Sequence, residues 1–457
     1  MFKSFKTAYI NGLIFKKSNH LTVLNTFNKC SSNLKYFSRN KRGSGFDFNL
    51  PDEEEENHRS KSKPTLPEDS EPSLSKRKFN LLFFGNDEIS LPTLYKIYEE
   101  SFKDDSVVLK LAVVTTPLEN KRSFQGIFHK FLAEKNIQKI ELSIKTPEDL
   151  KASWRNLNNI IKENNFEIGI VASFGRMIPG SIITSLKHGA FVMHPSLLPK
   201  YRGAAPIQHA LLNKEKVTGV SIVETSLNKF DAGDILIQKE IPVQVFHRFK
   251  ELSTILSHTG AEMTLDFLKD FEKLQKTKTP QDESKATKAG LFLDNNSVYL
   301  DFVKMTTEEI LTKYKAFYGS QLEPFTKGLI EGKERFFFFE NLFNVTPNSE
   351  FYKLILMKVD KLAKAGDVYW DIKEDRNNIF LKCKDGWLVS SSLKFDGTPY
   401  TKAEMVISKI FRNKRFKTKE NKDLEVKTLQ NRNTIEKVKK ENKILEQKVL
   451  DNKESKK

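Results

Sequence analysis

Apolar and polar positions along the chain change rhythm repeatedly, and each change marks an element. From Phe79 to Phe84 every position but Asn80 is apolar, which is the pattern of a strand covered on both faces, and the run stops at Gly85. Leu91 to Tyr98 then carries helical spacing, and Val107 to Val114 forms a second strand before Thr115-Thr116-Pro117. Thr146 followed by Pro147 and Glu148 is a helix start, with a hydroxyl cap and proline at the first helical position. Ile168 to Ala172 and Ala190 to Met193 are further short buried strands, the second ending at His194-Pro195. Ile235 to Val243 predicts another strand, and Glu251 to Leu274 a long amphipathic helix. Strands alternating with helices at this spacing predict an α/β domain: a doubly wound parallel sheet with helices on both faces.

After residue 274 the texture shifts. Gln275 to Lys285 is polar and contains a proline, the composition of a linker. From Ala286 to Phe416 a helical patch at Thr306 to Phe317 is followed by short β-rich runs at Arg335 to Phe339, Leu354 to Val359, Ile379 to Cys383 and Trp387 to Ser391. Short strands at close spacing predict a small C-terminal β-barrel of the OB-like kind. The expected organisation is thus an α/β domain over 78–274, a linker over 275–285, a barrel over 286–416 and a basic helical tail over 417–457. Within that tail Ile435, Val438, Leu445 and Val449 follow a 3-4 seam with Asn442 as its polar member, too short a pattern for a secure coiled coil.

Charge adds a partner to this picture. The 457 residues carry a net charge of +17, which favours an anionic partner, nucleic acid first. Residues 1–46 contain no Asp or Glu, and their Lys and Arg are interleaved with Phe, Leu, Ile, Ser and Asn, the composition of a mitochondrial transit peptide. We therefore expect a transit segment over 1–45, a disordered linker over 46–77 and a mitochondrial matrix location; an ordinary disordered basic tail is the plainer reading of the same residues. Two cysteines, Cys30 and Cys383, are too few for a disulfide framework or a zinc site, so no metal is expected. No apolar run approaches the roughly 20 residues that span a bilayer. A lone Gly85 after the first strand is no dinucleotide fingerprint.

Candidate chemistry gathers between Gly189 and Asp234. His194 ends a strand where an open α/β sheet places its ligands, beyond the strand's carboxyl end, and leads into an irregular Pro- and Gly-rich segment. An isolated histidine is more often structural than catalytic, but this position reverses the balance. Asp231 and Asp234 lie in a turn between two strands, where an aspartate usually serves the turn itself. A carboxylate brought near His194 would hold and orient the imidazole. Arg202-Gly203-Ala204-Ala205-Pro206 offers backbone groups at a helix start. The residues alone support an α/β enzyme with a His/Asp pair and nothing narrower.

The segments HPSLLPKYRGAAPIQHAL (194–211) and TGVSIVETSLNKFDAGDIL (218–236) resemble the signature region of the folate-dependent formyltransferases. The resemblance extends to LLFFGNDEISLPTL (81–94), VVTTPLENKR (113–122) and VASFGRMIP (171–179), covers roughly residues 79–412, and is nearest the branch whose acceptor is methionyl-tRNA. It implies 10-formyltetrahydrofolate as co-substrate, an initiator methionyl-tRNA as partner, and His194 and Asp231 as the catalytic pair; separately, a monomer is expected. It further implies that the folate lies along Ser196, Leu197, Leu198 and Pro199, that Arg176, Met177 and Ile178 line the pterin pocket, and that Lys121, Arg122 and Arg202 contact the tRNA. One position departs from the family pattern. Where that pattern has an oxyanion-binding Asn, this chain has Val192, which cannot donate a hydrogen bond; losing one such donor typically costs about 10²–10³ in rate. A neighbouring donor such as Ser173 or a backbone N–H could take over, the enzyme could be slow, or the fold could persist as a tRNA- or folate-binding protein without transferase activity. Retention of His194, Asp231 and the 196–199 loop favours the transferase. A formyltransferase acting on a small amine is a third reading, which the basic barrel and tail oppose.

Overall fold

The computed structural model describes residues 77–405, apart from 119–124, 228, 293, 331–332, 346–362, 372–374, 396 and 403–404. The expected transit segment and tail, the strand expected at 354–359, and Lys121 and Arg122 lie outside the described residues. The chain divides into the unit 1–75 and the unit 76–457, and everything below concerns the second.

Its centre is a seven-stranded sheet in the order β3-β2-β1-β4-β5-β6-β7. The strands are β1 (Phe79–Phe84), β2 (Val108–Thr115), β3 (Gln138–Glu141), β4 (Ile168–Ala172), β5 (Ala190–His194), β6 (Val217–Glu224) and β7 (Ile235–Pro242). β1 to β5 are parallel, and β6 and β7 add an antiparallel edge. β1, β4 and β5 read as largely apolar runs because both faces of the sheet are covered, and Leu81, Leu82, Phe83, Phe84, Ile168 and Ala172 are all inaccessible to solvent. The helices are α1 (Leu91–Glu100), α2 (Gln125–Glu134), α3 (Pro147–Glu163), α4 (Gly180–Ser185), α5 (Pro206–Leu212), α6 (Phe249–Lys269) and α7 (Phe271–Thr277). α3 begins as its sequence dictates: Thr146 is extended, and its hydroxyl accepts the Asp149 N–H at 3.1 Å. The long helix expected over 251–274 is instead two, because at Asp270 the chain leaves the helical region (φ −105°, ψ 24°) and turns Phe271 in to pack on Phe79 and Phe267.

The stretch expected to be a free linker is fastened to the α/β domain. Thr279 exchanges backbone hydrogen bonds with Ile235, and Arg202 pairs with Lys288 through a bridge. The later residues form α8 (Thr307–Phe317), opened by a capping box between Thr306 and Glu309, and two four-stranded antiparallel sheets ordered β10-β13-β12-β11 and β15-β14-β9-β8. Those strands are β8 (Phe325–Ile330), β9 (Lys333–Phe339), β10 (Leu342–Asn344), β11 (Val368–Asp371), β12 (Asp375–Lys382), β13 (Trp387–Ser390), β14 (Ser392–Phe395) and β15 (Thr401–Lys402). α8 packs its Ile310 and Tyr314 into their core with Phe339, Leu342, Ile379 and Leu388. Arg248, at the start of α6, joins the two parts: its guanidinium lies 4.1 Å from the Tyr318 ring centre and donates to the Glu340 carbonyl at 3.1 Å.

Candidate active site

A cavity of about 680 Å³ opens beyond the carboxyl ends of β1, β4 and β5, within the range that holds a drug-sized ligand. Its wall draws on Asp87 to Ile89 after β1, Ser173 to Ile178 after β4, Val192 to Pro195 on β5, Gly203 to Gln208 at the head of α5, and Thr225 with Lys229 to Asp231 in the β6–β7 turn. Phe292, Phe317 and Ser320 to Leu322 close the side that faces the smaller β domain.

His194 is the last residue of β5 and only 4% exposed. Its Nε2–H donates to the Tyr201 carbonyl at 2.9 Å, which fixes the ring, and Nδ1 faces Asp231 Oδ2 at 3.6 Å. That separation exceeds a hydrogen bond but lies within ion-pair range. Each partner is held by its own scaffold. Tyr201 has a left-handed backbone (φ 64°); its N–H donates to Thr287 Oγ1 at 2.8 Å and its hydroxyl to Glu215 at 2.7 Å. Asp231 is also left-handed (φ 51°), and Oδ2 accepts the Gly203 N–H at 2.9 Å. Gly203 is required there: its φ is 120°, and a β-carbon would come within 2.7 Å of the Ala289 carbonyl oxygen. Gly233 is required by close approach alone, since a β-carbon would meet the Glu224 carbonyl oxygen at 2.0 Å.

Gln281 completes this scaffold from the stretch that composition assigns to a linker, a reading that gives it no role. Its amide donates to the carbonyls of Asp231 and Gly233 at 2.8 and 2.7 Å, while its oxygen accepts from Arg202 Nε and Nη2 at 2.9 and 2.7 Å. Arg202 also pairs with Glu283 at 2.9 Å, and its side chain is only 11% exposed. The guanidinium expected to meet tRNA is therefore used inside the fold.

The residues expected to hold folate divide in two. Arg176, Met177 and Ile178 line the cavity, with Arg176 and Met177 exposed at its rim. Ser196, Leu197, Leu198 and Pro199 do not line it. Ser196 and Leu198 are buried against β6, where Ser221 Oγ donates to the Ser196 carbonyl at 2.6 Å and accepts the Leu198 N–H at 3.1 Å. This segment is a brace beneath the His194–Tyr201 contact. Val192 does face the cavity, and it also packs on the apolar cluster of Val171, Phe174 and Ile178.

Two carboxyls that the sequence reading passed over stand in the same wall. Asp87 Oδ1 accepts the N–H groups of Ile89 and Ser90 at 3.0 and 3.1 Å, and Oδ2 meets the Ser173 hydroxyl at 2.6 Å. Burial pushes the Asp87 carboxyl above its usual range, against the pull of the Ser173 and backbone hydrogen bonds. Burial, with Asp87 adjacent, also pushes Glu88 up to about 7, opposed by Lys250.

A doubly wound sheet with an antiparallel edge, a strand-end His/Asp pair and an apolar cavity defines a ligand-transforming α/β fold, and comparison with known proteins narrows it. Residues 99–266 match the family model described as formyl transferase, a span that includes His194 and Asp231. The chain is 31% identical over 216 residues to the methionyl-tRNA formyltransferase of Ehrlichia chaffeensis, covering 47% of this chain and 67% of that protein. It is 28% identical over 242 residues to the mitochondrial methionyl-tRNA formyltransferase of Bos taurus, covering 53% of this chain and 57% of the relative. Among solved structures it is similar to HypX from Aquifex aeolicus, with a TM-score of 0.48 and 17% identity over 74% of this chain and 48% of that one. The chain belongs to the formyl transferase family. It spans 57% of the length of its Bos taurus relative and 52% of that from Thermotoga neapolitana.

Proposed function

We propose that this protein transfers a formyl group from 10-formyltetrahydrofolate to the α-amino group of methionyl-tRNA, in the mitochondrial matrix. The observation that carries the reading is the His194–Asp231 pair, 3.6 Å apart in the floor of a cavity at the carboxyl end of β5. The relatives' names supply the acceptor, those of the mitochondrial relatives the compartment, and the acid-free residues 1–46 agree with it.

The residues present suit a folate. The cavity is large enough, its deep wall is apolar at Val171, Phe174, Ile178 and Val192, and exposed Arg176 at the rim can meet a carboxylate. When bound, 10-formyltetrahydrofolate supplies a carbonyl carbon open to attack by an amine. His194 Nδ1 is the group placed to take the proton that the attacking amine sheds, and Asp231 Oδ2 stabilises the resulting imidazolium. The Tyr201 carbonyl fixes the ring through Nε2, so the proton enters and leaves at one nitrogen. Phe292, Phe317 and Ser320 to Leu322 form the wall nearest the smaller β domain, which we assign to the tRNA, and the net charge of +17 suits a phosphate backbone.

The test is a transfer assay on the purified protein with 10-formyltetrahydrofolate, charged initiator tRNA, and free methionine or a small amine as competing acceptor. Formyl transfer confined to charged tRNA and weakened by added salt is expected. Efficient, salt-insensitive transfer to the free amine would contradict the acceptor, and tRNA binding without turnover would leave a binding protein on this fold.

A further inference from the structure

Val192 lines the cavity at the position where the family resemblance puts an oxyanion-binding amide, and a valine has no proton to donate. The sheet register shows what stands beside it. β4 and β5 run parallel with Val171 opposite Val192 and Ala172 opposite Met193, so Ser173 comes level with His194. Side chains alternate along a strand, which places Val171, Val192 and His194 on one face. Ser173 leaves β4 in a left-handed conformation (φ 43°), and the residue lines the same cavity as Val192 and His194. Neighbouring strands lie about 4.8 Å apart, so a group bound between His194 and Val192 is within reach of the Ser173 hydroxyl.

We propose that Ser173, backed by Asp87, is an oxyanion donor of this protein, in the place an amide side chain would otherwise fill. A hydroxyl has one proton to give, and its use depends on the direction of the 2.6 Å contact with Asp87 Oδ2. An ionised Asp87 takes that proton and sets a negative charge beside the developing oxyanion. A neutral Asp87 donates its own proton to Ser173 Oγ, which frees the Ser173 hydroxyl to point into the cavity. The burial that raises the Asp87 carboxyl favours this second arrangement. Its other oxygen stays satisfied throughout, because Oδ1 accepts the backbone N–H groups of Ile89 and Ser90. No net proton transfer is required: the hydrogen bonds run from Asp87 to Ser173 to the oxyanion. Ser173 touches the reacting group, and Asp87 is a positioning residue acting through it.

This inference rests on the transferase reading, and the experiment separates the two. Steady-state kinetics with charged tRNA are measured for wild type, Ser173→Ala, Asp87→Ala, Asp87→Asn and Ser173→Ala/Val192→Asn, with the thermal midpoint of each recorded. Ser173→Ala should lower kcat about 10²-fold with KM for the folate within about two-fold, the pattern of an interaction made only in the transition state. Asp87→Asn should be several-fold faster than Asp87→Ala, because its amide oxygen still accepts the two backbone N–H groups and its NH₂ can only donate to Ser173. Asp87→Ala should fall by at least about 10-fold, and Val192→Asn should restore at least about 10-fold to Ser173→Ala. A folded Ser173→Ala with wild-type kcat overturns the donor pair alone. A loss in Asp87→Asn as large as in Asp87→Ala overturns the direction of the relay and with it the proposal. Absence of transfer by wild type overturns the transferase reading itself.

Discussion

The side-chain amide of Gln281 donates to the backbone carbonyl of Asp231 at 2.8 Å, across 50 positions of sequence. A residue that composition assigns to a linker thereby fixes the strained turn that carries the proposed catalytic carboxylate. Gln281→Ala would leave the Asp231 and Gly233 carbonyls and the Arg202 guanidinium short of partners, at a cost of about 1–3 kcal/mol. We expect a lower thermal midpoint together with a fall in kcat of about ten-fold or more, since a misplacement near 1 Å can cost about 10² in rate. Unchanged kcat in a folded variant would show that the turn holds without Gln281.

Arg202 gives a second, opposing prediction. Its guanidinium is used on Gln281 and Glu283, so it is not available to a phosphate. Replacing a phosphate-contacting cation lowers the salt slope of nucleic-acid affinity by about one. Arg202→Ala should leave the salt dependence of tRNA affinity unchanged while lowering thermal stability. A slope that drops by about one would return Arg202 to the tRNA interface.

Val192→Asn tests whether an oxyanion donor is missing at all. With Ser173 and Asp87 in place, the added amide should raise kcat less than about ten-fold, well short of the 10²–10³ typical of one donor. It should also lower stability by about 1–3 kcal/mol, because the new amide displaces apolar contacts with the cluster around Val171 and Phe174. A gain of 10² or more would mean that no substitute donor exists.

Glu88 makes stability depend on pH. Its carboxyl is raised from 4.5 to about 7 in the fold, so the folded state binds the proton more tightly than the unfolded chain does. Stability therefore falls as pH rises from about 4.5 to about 7, by at most ~3 kcal/mol and less because Glu88 is only half-buried. Glu88→Gln should match wild type in thermal midpoint near pH 4 and exceed it at pH 8. A gap that stays constant across that range would contradict the shift.

Much of the fold was legible because its strands are buried on both faces and so write themselves as apolar runs; β1 and β4 begin and end where the runs do. The break between α6 and α7 was not, since Asp270 interrupts a helical period that the sequence itself continues. The His/Asp pair was legible from its strand-end and turn positions. The Asp87–Ser173 contact was not, because the two residues are 86 positions apart and meet only when β1 and β4 lie side by side. The 196–199 loop shows the reverse case. Its motif marks it as functional, yet its hydrogen bonds run to Ser221 and away from the cavity.

If His194 and Asp231 act as one unit in formyl transfer, kcat for wild type, His194→Ala, Asp231→Ala and the double variant, each with charged tRNA and 10-formyltetrahydrofolate, will show it. Each single change should cost at least about 10² in kcat, and the double variant should be no slower than the slower single, as for residues that work as a unit. Single variants that match wild type, or losses that multiply in the double variant, would contradict the pair.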